Sequence, residues 1–304
     1  MPRIGTGLGL GLFQGGGSAA PYVGLLDTYP NAAAAYSVRL LKSDYTGNAI
    51  RVRRSSDNAE QNIGFTALGD LDTTALTSFC SGTNGFVTTW YDQSGNGKNI
   101  TQSTAANQPQ IVSSGSVIIK NSKPCCQFTN ANNQNLINNS VSTASAMSFS
   151  WVGAMTNPLS SWYYAFEIGS YGATTGYVFT PYAFYPVQDW GNGNLINLGN
   201  GYTSGRAPRF VSNTIPNVSN AQTLYNGILS STNAKAYKNN TAISAATSLS
   251  ASVPAGATTL LKIGSNTYDE AFQGTMQEII FWGADQNSNI SGINTNTNTY
   301  YGIY

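Results

Sequence analysis

Hydrophobic and polar positions alternate with a period of two through most of this chain. From about Gln108 the sequence is a succession of short alternating runs separated by Gly, Asn, Ser and Pro: PQIV, SVIIK, CCQF, SFSWVGAM, YYAFEIG, GYVFTPYAFY, RFVSNTI, QTLYNGILS, AKAYKN, LLKIGS and TMQEIIFWG. Alternation sends successive side chains to opposite sheet faces, and many closely spaced strands predict an all-β sandwich. Upstream, IRVRR (50–54) alternates Ile50 and Val52 with Arg51 and Arg53, a half-exposed strand, and FVTTWY (86–91) is another. The polar DQSGNGKN after it predicts a tight turn, with Asp92 accepting backbone N–H bonds, Ser94 beside it and Gly95 free to take positive φ.

Helical signals are few. TTALTSF (73–79) follows Asp70-Leu71-Asp72-Thr73, whose oxygens can accept the free N–H groups of a first turn. Residues 22–41 read as a short helix entering the domain, with Pro30 and Asn31 as a start signal and four alanines favouring helix; Tyr36, Val38 and Leu40 already alternate like a strand. Ile290 and Ile293 stand at helical spacing and predict a short capping helix, with a strand-like YYGIY tail. No repeat of solenoid or propeller period occurs.

Residues 1–21 differ from the rest. Gly7, Gly9 and Gly11 alternate with Leu8, Leu10 and Leu12, then Gly15 to Gly17 break the pattern after Phe13. Such a strand has little to bury on its own subunit. The expectation is a docking arm, with Leu8, Leu10, Leu12 and Phe13 adding to a neighbouring subunit or particle; a disordered tail fits the same residues. The predicted organisation is this arm followed by one sandwich domain over residues 22–304.

Composition narrows the chemistry. Charged residues are 9% of the 304, net charge is +1, and there is no histidine. The surface must be built of Asn, Ser, Thr, Gln and Gly, and no strong field attracts nucleic acid or anionic lipid. Without histidine there is no Ser-His-Asp triad or Cys-His dyad, and the commonest metal ligand is missing, so neither cofactor nor metal is expected. Cys80, Cys125 and Cys126 give no disulfide framework. The adjacent pair reads as two buried thiols on a strand in preference to a strained vicinal bridge. No apolar run reaches transmembrane length, and the N-terminus lacks the regions of a signal peptide, so release by lysis or within a particle is expected.

Glycoside hydrolysis needs two carboxylates facing each other. The glutamates are Glu60, Glu167, Glu270 and Glu278, and no pair of carboxylates stands out. Asp44, Asp57, Asp70, Asp72 and Asp285 sit in predicted turns or caps. Glu278, mid-strand beside Met276 and Ile280, predicts a partly buried ion pair with an arginine. Asp269 and Glu270 are too few oxygens for calcium. The RVRR cluster reads as a solvated face or as partners for Asp57 and Glu60. Aromatic loops offer more: Trp and Tyr rings stack on sugars while amides and carboxylates bond hydroxyls. Gln188, Asp189, Trp190, Asn192 and Tyr202 are therefore the candidate glycan-binding residues, with Trp190 the ring most expected to be exposed.

Two blocks carry a resemblance. YTGNAIRVRRSSDNAEQNIGF with SFCSGTNGFVTTWYDQSGNGKNITQ resembles the N-terminal part of the α-L-arabinofuranosidase B catalytic domain, and a set of phage virion and surface proteins sharing that block. Residues 123–155 and 263–304 resemble the laminin-G-like and concanavalin-A-like jelly-roll modules of phage tail and surface proteins. Together they imply an all-β concanavalin-A-like jelly-roll β-sandwich with short helices and an extended N-terminal arm. The arabinofuranosidase pattern implies a disulfide partner for Cys80 where Gly85 stands. It implies a nucleophilic glutamate in an Asp-x-Glu-Asn-Gly motif, matched here by Asp189-Trp190-Gly191-Asn192-Gly193 with Gly191 at the glutamate position.

These features lead to a non-enzymatic bacteriophage virion protein, a capsid- or tail-associated fibre or decoration subunit, as the expected function. Its partners would be other virion proteins through the arm, further copies of itself (a trimer among the options) and a host glycan, with no nucleic acid and no membrane insertion. Its place would be the virion surface. An arabinofuranosidase-type glycoside hydrolase acting on cell-surface polysaccharide is the second reading, and a secreted lectin-like adhesin the third.

Overall fold

The computed structural model describes residues 21–142, 144, 146–156, 165–168, 182–189, 193–198, 209–212, 220–230, 234–243, 258–265 and 271–304. Every strand pairing among them is antiparallel, and the fold is an all-β sandwich. One ladder runs Glu60–Ile63, Ile50–Arg54, Gly85–Trp90, Ile100–Thr101, Leu136–Ser142, Thr258–Ile263, Phe166–Ile168, Tyr182–Asp189, Gly193–Leu198, Arg209–Ser212. The other runs Ala32–Ser37, Gly274–Trp282, Met147–Met155, Gln222–Leu229, Ala234–Lys238, Thr241–Ile243. Cys126–Phe128 pairs with both Gly274–Trp282 and Gln110–Ser113, and so joins the two layers at a corner.

The alternating residues meet between the layers. Ile50, Val52, Val87, Trp90, Leu136, Phe166, Ile168, Leu261 and Ile263 come from the first ladder, and Ala34, Tyr36, Phe149, Trp151, Ile279 and Phe281 from the second. A smaller apolar cluster packs helix α1 (Leu25–Thr28) and the C-terminal helix α3 (Ile290–Tyr301) on the far side of the second ladder, through Leu25, Leu26, Ala35, Ile280, Trp282 and Ile293. Helix α2 (Thr73–Phe79) is capped as its sequence predicts: Asp72 accepts from the Ala75 N–H.

Two local expectations are corrected. The alanines of residues 32–35 are strand, not helix, and only Leu25–Thr28 is helical in that region. Burial between Gly274–Trp282 and the Asp92 turn outweighs helix propensity, because small side chains let the strand pack closely on both faces. At the C-terminus Tyr300 and Tyr301 belong to α3, which ends at Gly302 in the left-handed conformation (φ 60°). Asn298 holds that end, its Oδ1 accepting from the Ile303 and Tyr304 N–H groups.

Gly274 shows why the central strand can bend. Its φ is 153°, and a Cβ there would stand 2.0 Å from the Ala154 carbonyl oxygen. Beside it the ladder skips Gln277, pairing Val152 with Glu278 and Gly153 with Met276. This bulge separates two residues that strict alternation places on one face: Met276 enters the core between the layers, and Glu278 stays under α3.

Candidate active site

The turn after FVTTWY is a clamp. Asp92 Oδ1 accepts from the Ala35 and Ser94 N–H groups at 2.8 and 2.9 Å, and Oδ2 accepts from Ser94 Oγ and the Lys98 N–H at 2.8 and 2.9 Å. Gln93, fully buried, donates to the Ser37 and Arg39 carbonyls and accepts from the Leu41 N–H. Asn96 donates to the Ala32 and Ala33 carbonyls. Gly95 has φ 91°, which closes the turn. The side chains of Asp92, Gln93, Ser94 and Asn96 thus fix the turn and residues 32–41 beside it.

A second polar cluster is also structural. Arg39 donates from Nε and Nη2 to the two oxygens of Glu278 at 2.7 and 3.0 Å, and Ser37 Oγ and Tyr301 Oη reach the same carboxylate. Burial opposes the Arg39 charge, but the Glu278 carboxylate beside it outweighs that and raises its pKa. The pair is 5% and 0% exposed at its side chains, and Ser37 and Tyr301 complete a knot that ties the first strand to α3. Along IRVRR, Arg51 pairs with Glu60 and Arg54 with Asp57. The Arg54 hydrogen bond, with help from the Ala59 N–H, holds the Asp57 carboxyl down at about 2. Lys123 pairs with Asp70, which also accepts from Tyr300.

Two further described strand residues carry carboxylates, Asp189 at the end of Tyr182–Asp189 and Glu167 within Phe166–Ile168. In Phe166–Ile168, Phe166 and Ile168 point into the core between the layers, so Glu167 points out of it, yet it is only 1% exposed. Directly across the ladder is Lys262, 7% exposed. The row continues outward through Ile137, Thr101, Thr89, Arg51 and Asn62, each opposite the last. Glu167 is therefore a buried carboxylate within a cross-strand row on the face away from the core, between Lys262 and Ala183. Sequence inspection passed it over, although the signal was present: a lone charge inside YAFEIG, between two core-facing residues, has to lie on the other face.

The candidate glycan residues are placed as follows. Gln188 and Asp189 close the hairpin opposite Asn194 and Gly193. Trp190, Gly191, Asn192 and Tyr202 lie outside the described residues, as do the arm residues Leu8, Leu10, Leu12 and Phe13 and the carboxylates Asp269 and Glu270. Ala183 sits opposite Glu167, and Asp189 is six residues further along that strand. At strand rise that is about 20 Å, too far for the two to act on one bond.

The cysteines are three buried free thiols. Burial pushes Cys125 up to about 12 and Cys126 higher still. Gly85 faces Cys80: a Cβ on Gly85 would stand 2.8 Å from the Cys80 sulfur. Among the described residues no group of three or more Cys, Asp or Glu side chains can hold a metal ion, and no helix is long and apolar enough to cross a membrane.

Comparison with known proteins places this geometry. The family described as "Alpha-L-arabinofuranosidase B, catalytic" matches residues 26–123. A probable α-L-arabinofuranosidase B of Aspergillus terreus is 45% identical over 74 residues, which is 24% of this chain and 15% of that protein. An α-L-arabinofuranosidase of Hypocrea jecorina is 41% identical over 73 residues, with the same coverage of each. The structure of an arabinofuranosidase complexed with arabinofuranosyl-α-1,2-xylobiose superposes with a TM-score of 0.66 at 19% identity, covering 87% of this chain and 62% of that one. A GH54 α-L-arabinofuranosidase soaked with a cyclic sulfate inhibitor gives 0.64 at 20% identity with the same coverage. At that identity the structural likeness is one of fold, and this chain spans less than two thirds of those relatives.

These matches correct the sequence-based function. The non-enzymatic virion reading, with its fibre and decoration roles, is overturned: family and relatives point to glycoside hydrolases of the arabinofuranosidase type. The argument from Gly191 rested on a motif position that lies outside the described residues. Glu167, on the strand beside Tyr182–Asp189, supplies a buried carboxylate that this alignment left out.

Proposed function

We propose that this chain is a glycoside hydrolase of the α-L-arabinofuranosidase type, with residues 22–304 as one catalytic unit of concanavalin-A-like jelly-roll form and Glu167 as one of its two carboxylates. The observation that carries the reading is the identity of 45% over 74 residues with an arabinofuranosidase B, within a fold match covering 87% of the chain. Glu167 fits because it is held by a three-stranded ladder, faces away from the core and is shielded from bulk water. A rigid, water-poor setting is what a group reacting at a sugar's anomeric carbon requires.

The reaction needs a second carboxylate about 5–10 Å away. Asp269 and Glu270, which lie outside the described residues, are the candidates to test, because the described residues on either side of them lie beside the Glu167 strand. Gly264 N–H donates to the Ala165 carbonyl at 2.9 Å, and Phe272 N–H donates to the Gly264 carbonyl at 2.7 Å, so both ends of residues 265–271 are tied next to the Glu167 strand. One carboxylate attacks or activates water, and the other protonates the leaving oxygen.

The test is turnover of 4-nitrophenyl α-L-arabinofuranoside by the wild type and by Glu167→Gln, Asp269→Asn and Glu270→Gln. Glu167→Gln is expected to lose about a thousandfold or more in kcat, as is one of the other two. A Glu167→Gln variant as active as the wild type would remove Glu167 from the mechanism, and a wild type inert toward furanosides and pyranosides alike would remove the hydrolase reading.

A further inference from the structure

We infer that Asn96-Gly97 is a self-modification site, at which the chain converts its own asparagine to aspartate or isoaspartate and so loosens the clamp around Asp92. The inference is independent of any reaction at Glu167. It starts from a backbone property. A glycine has no Cβ to stand between its own nitrogen and the side chain before it, and its dihedrals turn freely. An asparagine before glycine is therefore the asparagine whose side-chain amide the backbone attacks most readily. Three Asn-Gly pairs lie wholly within the described residues: Asn84-Gly85, Asn96-Gly97 and Asn226-Gly227.

The fold holds two of these and leaves the third open. Asn226 and Gly227 are buried within Gln222–Leu229, opposite Ser150 and Phe149 on one side and Tyr237 and Ala236 on the other. Gly85 is buried in its ladder against Cys80, and Asn84 Oδ1 accepts from the Ser114 N–H at 2.8 Å. Asn96 and Gly97 are exposed, and a Cβ on Gly95 or Gly97 would meet nothing within 4 Å. The peptide planes on either side of Asn96 thus have open space in which to turn. What anchors Asn96 is its side chain, whose Nδ2 donates to the Ala32 and Ala33 carbonyls at 2.9 and 3.2 Å. Bonds at such an exposed turn open locally, without unfolding of the sandwich.

The step needs water alone. The Gly97 nitrogen bonds to Asn96 Cγ and gives up its proton, the Cγ–Nδ2 bond breaks, and the amide departs as ammonia. Water then opens the cyclic imide. Cleavage at Cγ leaves an aspartate, and cleavage at the backbone carbonyl carbon leaves an isoaspartate, with the main chain rerouted through the side chain. Either product removes the donor of two hydrogen bonds and adds a carboxylate beside the two carbonyls it served, so that acceptors face acceptors. The new charge also enters a turn already built on an anion, since Ser94 Oγ donates to Asp92 Oδ2 and accepts from the Asn96 N–H. One added negative charge takes the net charge from +1 to 0.

Ageing the full chain in mildly alkaline buffer, with and without denaturing urea, and mapping its peptides by mass spectrometry tests this. In the folded protein the Asn96 peptide is expected to gain the mass of an amide-to-acid change about tenfold faster than the Asn84 and Asn226 peptides. In urea all three should convert at similar rates. Asn96→Gln, whose amide would have to close a larger ring, should leave that peptide unchanged. Amide exchange at Ala35 should run about tenfold faster in aged wild type and in fresh Asn96→Asp than in fresh wild type, while aged Asn96→Gln should exchange as its fresh form does. Conversion of Asn84 or Asn226 as fast as Asn96 in the folded protein would overturn the site, as would an Asn96 peptide that stays intact while it converts in urea. Equal exchange at Ala35 before and after Asn96 has converted would overturn the loosening of the clamp.

Discussion

Gly85 offers a direct test of how closely this fold follows the arabinofuranosidase pattern, in which a cysteine is expected at that position. Cys80 is buried at the end of α2, and a Cβ on Gly85 would stand 2.8 Å from its sulfur, near the roughly 3 Å that a disulfide imposes between one sulfur and the opposite Cβ. Gly85 does not have the positive φ that would bar a side chain. A Gly85→Cys variant should therefore form a bridge to Cys80. The closed loop spans residues 80–85, and the chain-entropy relation for about six residues gives about 2 kcal/mol. Against this, the new Cβ would lie 3.1 Å from both Val112 Cβ and Val52 Cγ1, and crowding of this kind costs about 1–3 kcal/mol. Gly85→Ala pays the crowding alone and should be less stable than the wild type. The informative comparison is between oxidised and reduced Gly85→Cys, which share the crowding and differ by the bridge. The oxidised form should melt about 3–4 °C higher. Thermal unfolding with and without reductant reads this, and thiol titration after denaturation should count two thiols in the oxidised variant and four in the reduced. Four thiols in the air-oxidised protein, or coincident melting curves, would refute the placement of Gly85 against Cys80.

Other substitutions probe the two polar knots and the thiols. Glu278→Gln or Arg39→Ala leaves a buried charge without its partner, and each should lose about 3–5 kcal/mol in urea unfolding. Replacing both by apolar residues of similar volume should recover much of that loss. Asp92→Asn cannot accept all four of the bonds that the carboxylate accepts, and amide exchange at Ala35, Ser94 and Lys98 should quicken selectively. Cys125, pushed up to about 12 by burial, should resist alkylation in the native protein at pH 8 and react once the chain is unfolded, as read by mass spectrometry.

Much of this architecture was legible because strand periodicity is local. The alternating runs from Gln110 to Trp282 became strands, Asp72 became a cap, and Arg51 and Arg54 found Glu60 and Asp57. The failures came where distant contacts decide. Four alanines carry a helical preference, but they pair with a strand about 250 residues away in sequence and receive the Asp92 carboxylate. Glu278 was placed with Met276 because alternation assumes an unbroken ladder, and the bulge at Gln277 breaks it. Glu167, the carboxylate proposed above, belongs to no linear motif. Its position is defined by the ladder that sets it opposite Lys262, and no local sequence pattern encodes that.

The uneven distribution of similarity follows from the same geometry. The family match ends at residue 123, and Glu167, Lys262 and Ile137 all lie beyond it. What the matched block contains is the clamp around Asp92 and one part of the outward row: Arg51, Asn62, Thr89 and Thr101. The clamp is intolerant for a physical reason. Asp92, Gln93 and Asn96 bond to named backbone groups of residues 32–41, so they fix where the alanine strand sits against the Trp90 strand. A one-residue slip in a sheet sends every side chain to the opposite face. In the pairing of Ile50–Arg54 with Gly85–Trp90, which lies inside the same block, a slip would turn Arg51 or Thr89 into the core and bring Ile50 or Trp90 out. The block most like the arabinofuranosidases is therefore the one that holds the register on which the outward row depends. Glu167 lies beyond the block, three strand steps from Ile100–Thr101 across Leu136–Ser142 and Thr258–Ile263, and shares the outward face of that row.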